Sequence, residues 1–461
     1  MTQANIIYHQ LLFFPISSGI LTALIGGGCA FVFAYVLTFL IRAFCRKVGW
    51  LDRPAARRVH TKAVPRLGGV AIFLAFFIAS RLFYSPGPNL NPHAHELTIY
   101  WLLIAAGALM VIVHAYDDVV GLKPLPKLIA QTVAVLIILA PWGTEFNGIL
   151  IFTFNNPFGT EVAHTFYLFT HDTVIKWIAI PAVLFTWFWI VGMMNTVNLI
   201  DGLDGLATGV VAIAALFITI ISFVLGQYSI AILSAIFTGA TLGFLPHNWN
   251  PAKIFMGDSG SMFLGLGLAV LSIMGGAKIA LAIIVLGVPI LDVAVVMINR
   301  IRRGQSPLHY DKTHLHYRMM ATGLNARQIC YLFYGLTFLF GLLALSVSGF
   351  GLLALSISGI HNPTDAQLQH IAHIFKLVFI GVVVLAMAGL IYWIDRRQRR
   401  RGMQIKLGGP EPKGDNDNAL VQAPGDRQDG RTEYQEHKEL EQVTLPLSDR
   451  PAGHWQARLP Q

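Results

Sequence analysis

Five aspartates carry most of the chemical potential of this chain: Asp117 and Asp118, Asp201 and Asp204, and Asp258, with Asn195, Asn198 and Asn248 close by in sequence. Asp117 and Asp118 are adjacent. Asp201 and Asp204 share one face of a helix end by their i,i+3 spacing, and Asp258 stands alone in a GDSG turn. Any one of these acids could serve only to cap a helix. Together they offer a set of hard oxygen ligands suited to Mg2+, with Mn2+ as the other fitting ion. Such ions keep several waters and complete their shells with phosphate oxygens.

Cations accompany the acids. The segment DRPAARRVHTKAVPRLGG at 52–69 brings Arg57, Arg58, His60, Lys62 and Arg66, and the segment at 306–323 brings His314 and His316. Acids alone repel a phosphate. Acids holding a metal beside cationic loops suit phosphoryl transfer, where positioning and charge neutralisation do nearly everything. The HLH pair has neither a HExxH spacing nor a cysteine beside it, so zinc is not favoured. Cys29, Cys45 and Cys330 lie in or beside apolar runs with no disulfide or ligand spacing. No GxxxxGK[ST] loop is present, so ATP-driven chemistry is not indicated. Glycines in RLGG, GLDGLATG and FMGDSG let a backbone approach a ligand, although glycine is equally a packing residue in membrane helices.

The elements that must position these groups are membrane helices. Of 461 residues, 55% are hydrophobic and 12% charged, with a mean hydropathy of +0.60; soluble domains carry about a quarter charged residues. Apolar runs long enough to span a bilayer fall at roughly 18–43, 68–84, 99–116, 126–142, 177–196, 206–225, 228–246, 260–275, 279–299, 329–350 and 372–394, about eleven transmembrane helices in an all-α polytopic protein. The net charge of +9 gathers at the ends of these runs, which points to topology and away from nucleic acid. Loops after the first, ninth and last spans are rich in Arg and Lys, whereas 85–98, 143–175 and 359–371 have none. The N-terminus is therefore expected outside and the C-terminus inside. Residues 1–16 lack the basic region of a cleaved signal. Residues 1–400 read as one membrane domain and 401–461 as a disordered cytoplasmic tail. The loop at 143–175, with NNPFG in its middle, reads as a short external hairpin.

On this topology five polar segments, 52–69, 114–124, 195–209, 247–261 and 306–323, converge on the cytoplasmic face. Four of them, HAYDDVVGL, NTVNLIDGLDGLATG, NPAKIFMGDSGS and KTHLHYRMMATG, resemble in order the polyprenyl-phosphate N-acetylhexosamine-1-phosphate transferases of glycosyltransferase family 4. The first loop and the DKTHLHY form look like the N-acetylglucosamine-1-phosphate branch, which starts O-antigen, common-antigen and teichoic-acid linkage synthesis. The muramoyl-pentapeptide branch carries three successive histidines, and Tyr317 departs from the further His usual in close relatives.

The resemblance implies a bacterial inner-membrane enzyme that takes UDP-N-acetylhexosamine and undecaprenyl phosphate, with Mg2+, to the undecaprenyl-diphospho-sugar and UMP. It implies that Asp258 is a metal ligand with Asn198 close to it, and that Asp117 and Asp118 orient or deprotonate the lipid phosphate. Lys62, Asn195, Asp201, Asp204 and Asn248 are expected along the nucleotide-sugar pocket, Phe255 beside the uracil, and His314 and His316 near the diphosphate. A polyprenyl phosphate is already ionised at neutral pH, so electrostatic placement by Asp117 suffices. The sugar, the downstream polymer and the oligomeric state, a homodimer included, stay open. A transporter is the alternative from another class, but its polar residues belong near the bilayer midplane. A CDP-alcohol phosphotransferase needs an Arg and later acids that DGLDGLATG lacks.

Overall fold

The computed structural model of the chain describes residues 18–52, 63–86, 96–142, 180–274, 286–302 and 314–357, with short pieces between 145 and 165 and a few single positions elsewhere. Helices occupy each of the first ten apolar runs: α1 (Ser18–Val48), α2 (Gly68–Phe83), α3 (Glu96–Val120), α4 (Pro124–Leu139), α5 (Ile180–Ile200), α6 (Leu206–Val224), α7 (Tyr228–Asn248), α8 (Gly257–Met274), α9 (Gly287–Arg302) and α11 (Ala326–Ile357). A short α10 (Leu315–Ala321) lies between the last two. Seven of them, α1, α3, α5, α6, α7, α8 and α11, are long and apolar enough to cross a membrane. The protein is all-α and polytopic. The run at 372–394, the loop at 53–62 with Lys62, and the tail from 401 lie outside the described stretches.

Lipid and protein divide the apolar surface between them. On α1, Leu21, Leu24, Phe31, Val32, Phe39 and Leu40 all face outward. In water each would forgo about 1.5–3 kcal/mol of burial; in a bilayer that penalty disappears. At the other extreme α8 is buried along nearly all its length and packs against α2, α3, α5, α6 and α7. Phe263 on α8 meets Phe73 edge-on at 5.2 Å, and Phe76 and Phe237 at 5.7 and 5.9 Å between ring centroids. A rigid central helix therefore carries Asp258 at its first turn.

The start of α8 is fixed backbone to backbone against the start of α2. Gly69 N–H donates to Met256 O at 2.9 Å, and Gly68 N–H donates to Phe255 O at 3.0 Å. A Cβ on Gly69 would lie 2.1 Å from the Gly260 nitrogen. The glycines of RLGG and GDSG thus serve helix packing in this structure. Gly69→Ala is expected to cost about 3 kcal/mol or more through overpacking, seen as a lower melting temperature in detergent. Wild-type melting would show that the two backbones separate without cost.

Among the described residues, extended structure is confined to short pairs. β1 (Leu51–Asp52) pairs antiparallel with β2 (Val64–Pro65), closing the ends of the basic loop, and Pro65 O accepts from Phe255 N–H at 2.8 Å. Pro141–Trp142 pairs with Glu145–Phe146. Thr153–Phe154 pairs with His164–Thr165 on either side of NNPFG, in keeping with the expected hairpin.

Candidate active site

The helix ends create the site. α3 finishes with Asp117 and Asp118, and α8 begins at Gly257 and Asp258. Asp118 reaches the first turn of α8. Its Oδ1 accepts from Asp258 N–H at 2.9 Å, and its Oδ2 accepts from Ser259 N–H at 3.1 Å and Ser259 Oγ–H at 2.9 Å. It therefore caps α8 from another helix, satisfying N–H groups that no intrahelical carbonyl can reach, with its charge placed favourably on the helix dipole. Gly257 makes the approach feasible: its φ is +75°, and a Cβ there would fall 2.3 Å from Asp118 Oδ2.

Asp258 is turned toward a cation and an amide. Its Oδ2 accepts from Lys127 Nζ at 2.9 Å, and its Oδ1 accepts from Asn198 Nδ2 at 3.2 Å. Asn198 also donates to Ser261 Oγ at 2.9 Å. Lys127, at the start of α4, pairs with Asp117 Oδ2 as well. Asp117 Oδ1 accepts from Leu122 N–H at 2.6 Å, which ties down the turn after α3. Arg66 stands 3.7 Å from Asp118 and 3.8 Å from Asp258. One ligand oxygen each from Asp117, Asp118 and Asp258 falls within a 4.8 Å span. Three carboxylates and two cations thus share one small volume, in which Lys127 and Arg66 offset the repulsion between the acids.

Asp201 lies in the turn between α5 and α6, where its backbone N–H donates to Asn198 O at 3.2 Å and its side chain forms no hydrogen bond or ion pair among the described residues. Its surface is only part-covered, yet desolvation first, and then the Asp258 charge, raise its carboxyl well above the usual range. Asp204 faces another loop, where its Oδ2 accepts from Asn250 Nδ2 and Ala252 N–H, both at 3.0 Å. Asn248 is buried, accepting from Gly205 N–H and Thr208 Oγ–H and donating to Ile254 O. These two residues join the GLDG turn to the 250–254 loop. Asn195 lies one turn deeper than Asn198 and pairs its amide with Gln131 on α4 at 2.9 Å. Phe255 is half-buried, with its backbone held between Pro65 and Gly68.

The histidines stand at the start of α10. His316 is buried against the Asp201–Gly202 turn, where a Cβ on Gly202 would lie 2.4 Å from its Nε2. That Nε2 has no hydrogen-bond partner among the described residues. Burial, only partly opposed by the Asp292 charge, lowers its pKa to about 4, so the ring is neutral near pH 7. The His314 ring lies parallel to it, 6.0 Å away. A cleft of about 350 Å³ opens beside Asp117 and Asp118, lined by Arg66, Trp50, Val119 and Val120 among others. Trp50, Val119 and Val120 are exposed there, so the cleft joins an apolar rim to a charged floor.

Asp117, Asp118, Asp258 and Asn198 therefore meet as one cluster with Arg66 and Lys127, whereas Asp204, Asn248 and Asn195 brace the helices around it. Sequence reasoning missed Lys127, Gln131 and Asp292. The available signal was the same for all three: a charged or amide side chain inside an apolar run.

Residues 100–276 match the profile of glycosyl transferase family 4. The chain is 36% identical over 318 residues to a probable undecaprenyl-phosphate N-acetylglucosaminyl 1-phosphate transferase of Bacillus subtilis (strain 168), covering 67% of this chain and 80% of that one. It is 32% identical over 337 residues to the decaprenyl-phosphate N-acetylglucosaminephosphotransferase of Mycobacterium tuberculosis (strain ATCC 25618 / H37Rv), with 67% and 78% covered. It is 30% identical over 336 residues to the phospho-N-acetylmuramoyl-pentapeptide-transferase of Bacillus cereus (strain AH187), with 70% and 97% covered.

Proposed function

The chain belongs to glycosyl transferase family 4, and on that premise we propose that it transfers N-acetylglucosamine 1-phosphate, or a related N-acetylhexosamine 1-phosphate, from the UDP-sugar to undecaprenyl phosphate. An oxygen of the lipid phosphate attacks the sugar-bearing β-phosphorus. The bond from that phosphorus to the bridging oxygen breaks, and UMP leaves with the electron pair. The observation that carries the reading is the cluster of Asp117, Asp118 and Asp258 with Lys127 and Arg66 at the start of the buried helix α8. The N-acetylglucosamine preference follows the two relatives whose names specify that sugar.

The residues divide the task. Arg66 and the apolar rim of Trp50, Val119 and Val120 suit a lipid phosphate with its first isoprene units at the cleft. Asp117 and Lys127 fix the charge pattern that this phosphate meets, and no proton need be removed from an ionised nucleophile. Asp201, whose carboxylate is unpaired among the described residues, suits contact with the nucleotide sugar, as does His314. Phe255 and Lys62 extend that pocket in the proposal.

A divalent ion fits the donor set. Lys127 Nζ already lies between Asp117 and Asp258, so two carboxylates converge where a cation sits, and Asn198 adds a neutral amide beside Asp258. Asp258 and Asp117 would hold the ion, while the bonds from Asp118 to α8 keep Asp258 in place. When bound, Mg2+ supplies charge neutralisation for the diphosphate. Lys127 competes for the same oxygens, so Lys127→Gln is expected to tighten Mg2+ binding about tenfold, since removing one nearby positive charge is worth at least 1.4 kcal/mol at these distances. The readout is the Mg2+ concentration that half-maximally raises the melting temperature. An unchanged or higher concentration would show that Lys127 does not contest the ion.

In this proposal eleven spans place the N-terminus outside and the C-terminus inside, with residues 1–400 as the enzyme and 401–461 as a cytoplasmic tail. UDP-sugars and Mg2+ are cytoplasmic, so the acid cluster must face that side. All the groups named lie on one chain, and a second copy is not required. Cysteines introduced at Asn89 and Asn155, in a background without Cys29, Cys45 and Cys330, should react with an impermeant maleimide in intact cells. One at Thr313 should react only after the membrane is opened; its labelling from outside would invert the topology. The sugar is tested by exchange of labelled UMP into a panel of UDP-sugars with purified protein, undecaprenyl phosphate and Mg2+. Exchange into UDP-N-acetylglucosamine should be fastest.

A further inference from the structure

We infer that Asp292 is a positioning residue for His314, fixing the imidazole through Nδ1 so that Nε2 is the nitrogen turned toward the diphosphate of the UDP-sugar. The inference rests on the reading of His314 as a diphosphate contact. Asp292 lies within α9, in the apolar stretch GVPILDVAVV, with its side chain 11% exposed. An acid placed there is costly unless something holds it. Its Oδ2 meets His314 Nδ1 at 3.2 Å, and its Oδ1 accepts from Leu315 N–H at 2.9 Å.

One carboxylate thus grips both the ring of residue 314 and the backbone of residue 315. A group that served only to start α10 would need a single acceptor on the Leu315 N–H. The second bond does something different: a carboxylate can only accept, so Nδ1 must carry a proton, and that sets the tautomer and the ring plane together. The ring of buried His316 lies parallel to that of His314, with 6.0 Å between centroids. Asp292 and His314 are 22 residues apart, so this clamp sets the histidine segment on a rigid helix.

The two roles separate on substitution. In Asp292→Asn the amide oxygen can keep the Leu315 N–H, but the NH2 group then faces Nδ1 as a donor. That reverses the tautomer and removes the negative charge beside the ring. Asp292→Asn is expected to melt close to wild type, to lower kcat at least tenfold and to change the KM for UDP-N-acetylglucosamine less than threefold. His314→Gln should lower kcat by a similar or larger factor. The double variant should then be no more than about threefold worse than His314→Gln alone, because Asp292 acts through a ring no longer present. Asp292→Ser, whose hydroxyl can also cap Leu315, takes the same place in the cycle if the Asn variant does not fold.

Three results would overturn the inference alone. The first is kcat within threefold of wild type in Asp292→Asn while His314→Gln is impaired, which leaves the diphosphate reading standing. The second is losses that multiply in the double variant. The third is failure of both Asp292 variants to fold while His314→Gln folds normally, which makes Asp292 a structural residue. Full activity in His314→Gln would remove the diphosphate reading and the inference together.

Discussion

Asp258→Asn is expected to lower turnover by at least about a thousandfold at saturating Mg2+, or about 4 kcal/mol in the transition state, while the protein folds and melts near wild type. The amide is isosteric but carries no charge, so it can neither hold a divalent ion comparably nor pair with Lys127. Stability should survive because Asp118 caps α8 through the backbone N–H of residue 258 and the Ser259 groups, none of which involves the Asp258 side chain. Initial rates of lipid-linked sugar formation measure the effect. Activity within about tenfold of wild type, only about 1.4 kcal/mol, would remove Asp258 from the reacting centre.

Asp118→Ala is expected to fail differently, by loss of stability as well as of activity. It removes an almost fully buried carboxylate that accepts three hydrogen bonds at the start of the central helix. Bonds to charged groups are worth about 1.5–3 kcal/mol each and do not simply add, so the net cost should be about 3–5 kcal/mol. Asp258 and Arg66 would also lose their common reference point, so activity falls with the fold. Thermal unfolding in detergent is the measurement. A variant that melts like wild type but is inactive would return Asp118 to a purely catalytic role.

These two outcomes separate neighbouring acids that look alike in sequence. The pair Asp117–Asp118 reads as a unit because adjacency is all that a one-dimensional pattern offers. In the fold, successive helical residues point in different directions, so Asp117 meets Lys127 and Asp118 meets α8. The helices themselves were legible, because a bilayer demands long apolar runs and the chain supplies them with clear polar breaks. So was the gathering of Asp117, Asp118, Asp258 and Asn198, since charge placement alone assigned their loops to one side.

What stayed hidden were the long-range ties. Asp118 caps a helix 140 residues away, and Asp292 holds a histidine 22 residues on; no periodicity links such partners. Lys127 was overlooked because one Lys near the start of an apolar run looks like a topology signal. The glycines of RLGG and GDSG were open to two readings, and only the contact between Gly69 and Gly260 favours packing.

In the proposed reaction the bond broken joins the β-phosphorus of the UDP-sugar to the oxygen that bridges the two phosphorus atoms, so that the sugar keeps its phosphate. Purified protein given UDP-N-acetylglucosamine labelled at the β-phosphorus, with undecaprenyl phosphate and Mg2+, tests it directly. The label is expected to move into the lipid fraction while unlabelled UMP appears in equal amount, and Asp258→Asn should do neither. Release of labelled UDP with sugar alone reaching the lipid, or no lipid product from any UDP-N-acetylhexosamine, would contradict it.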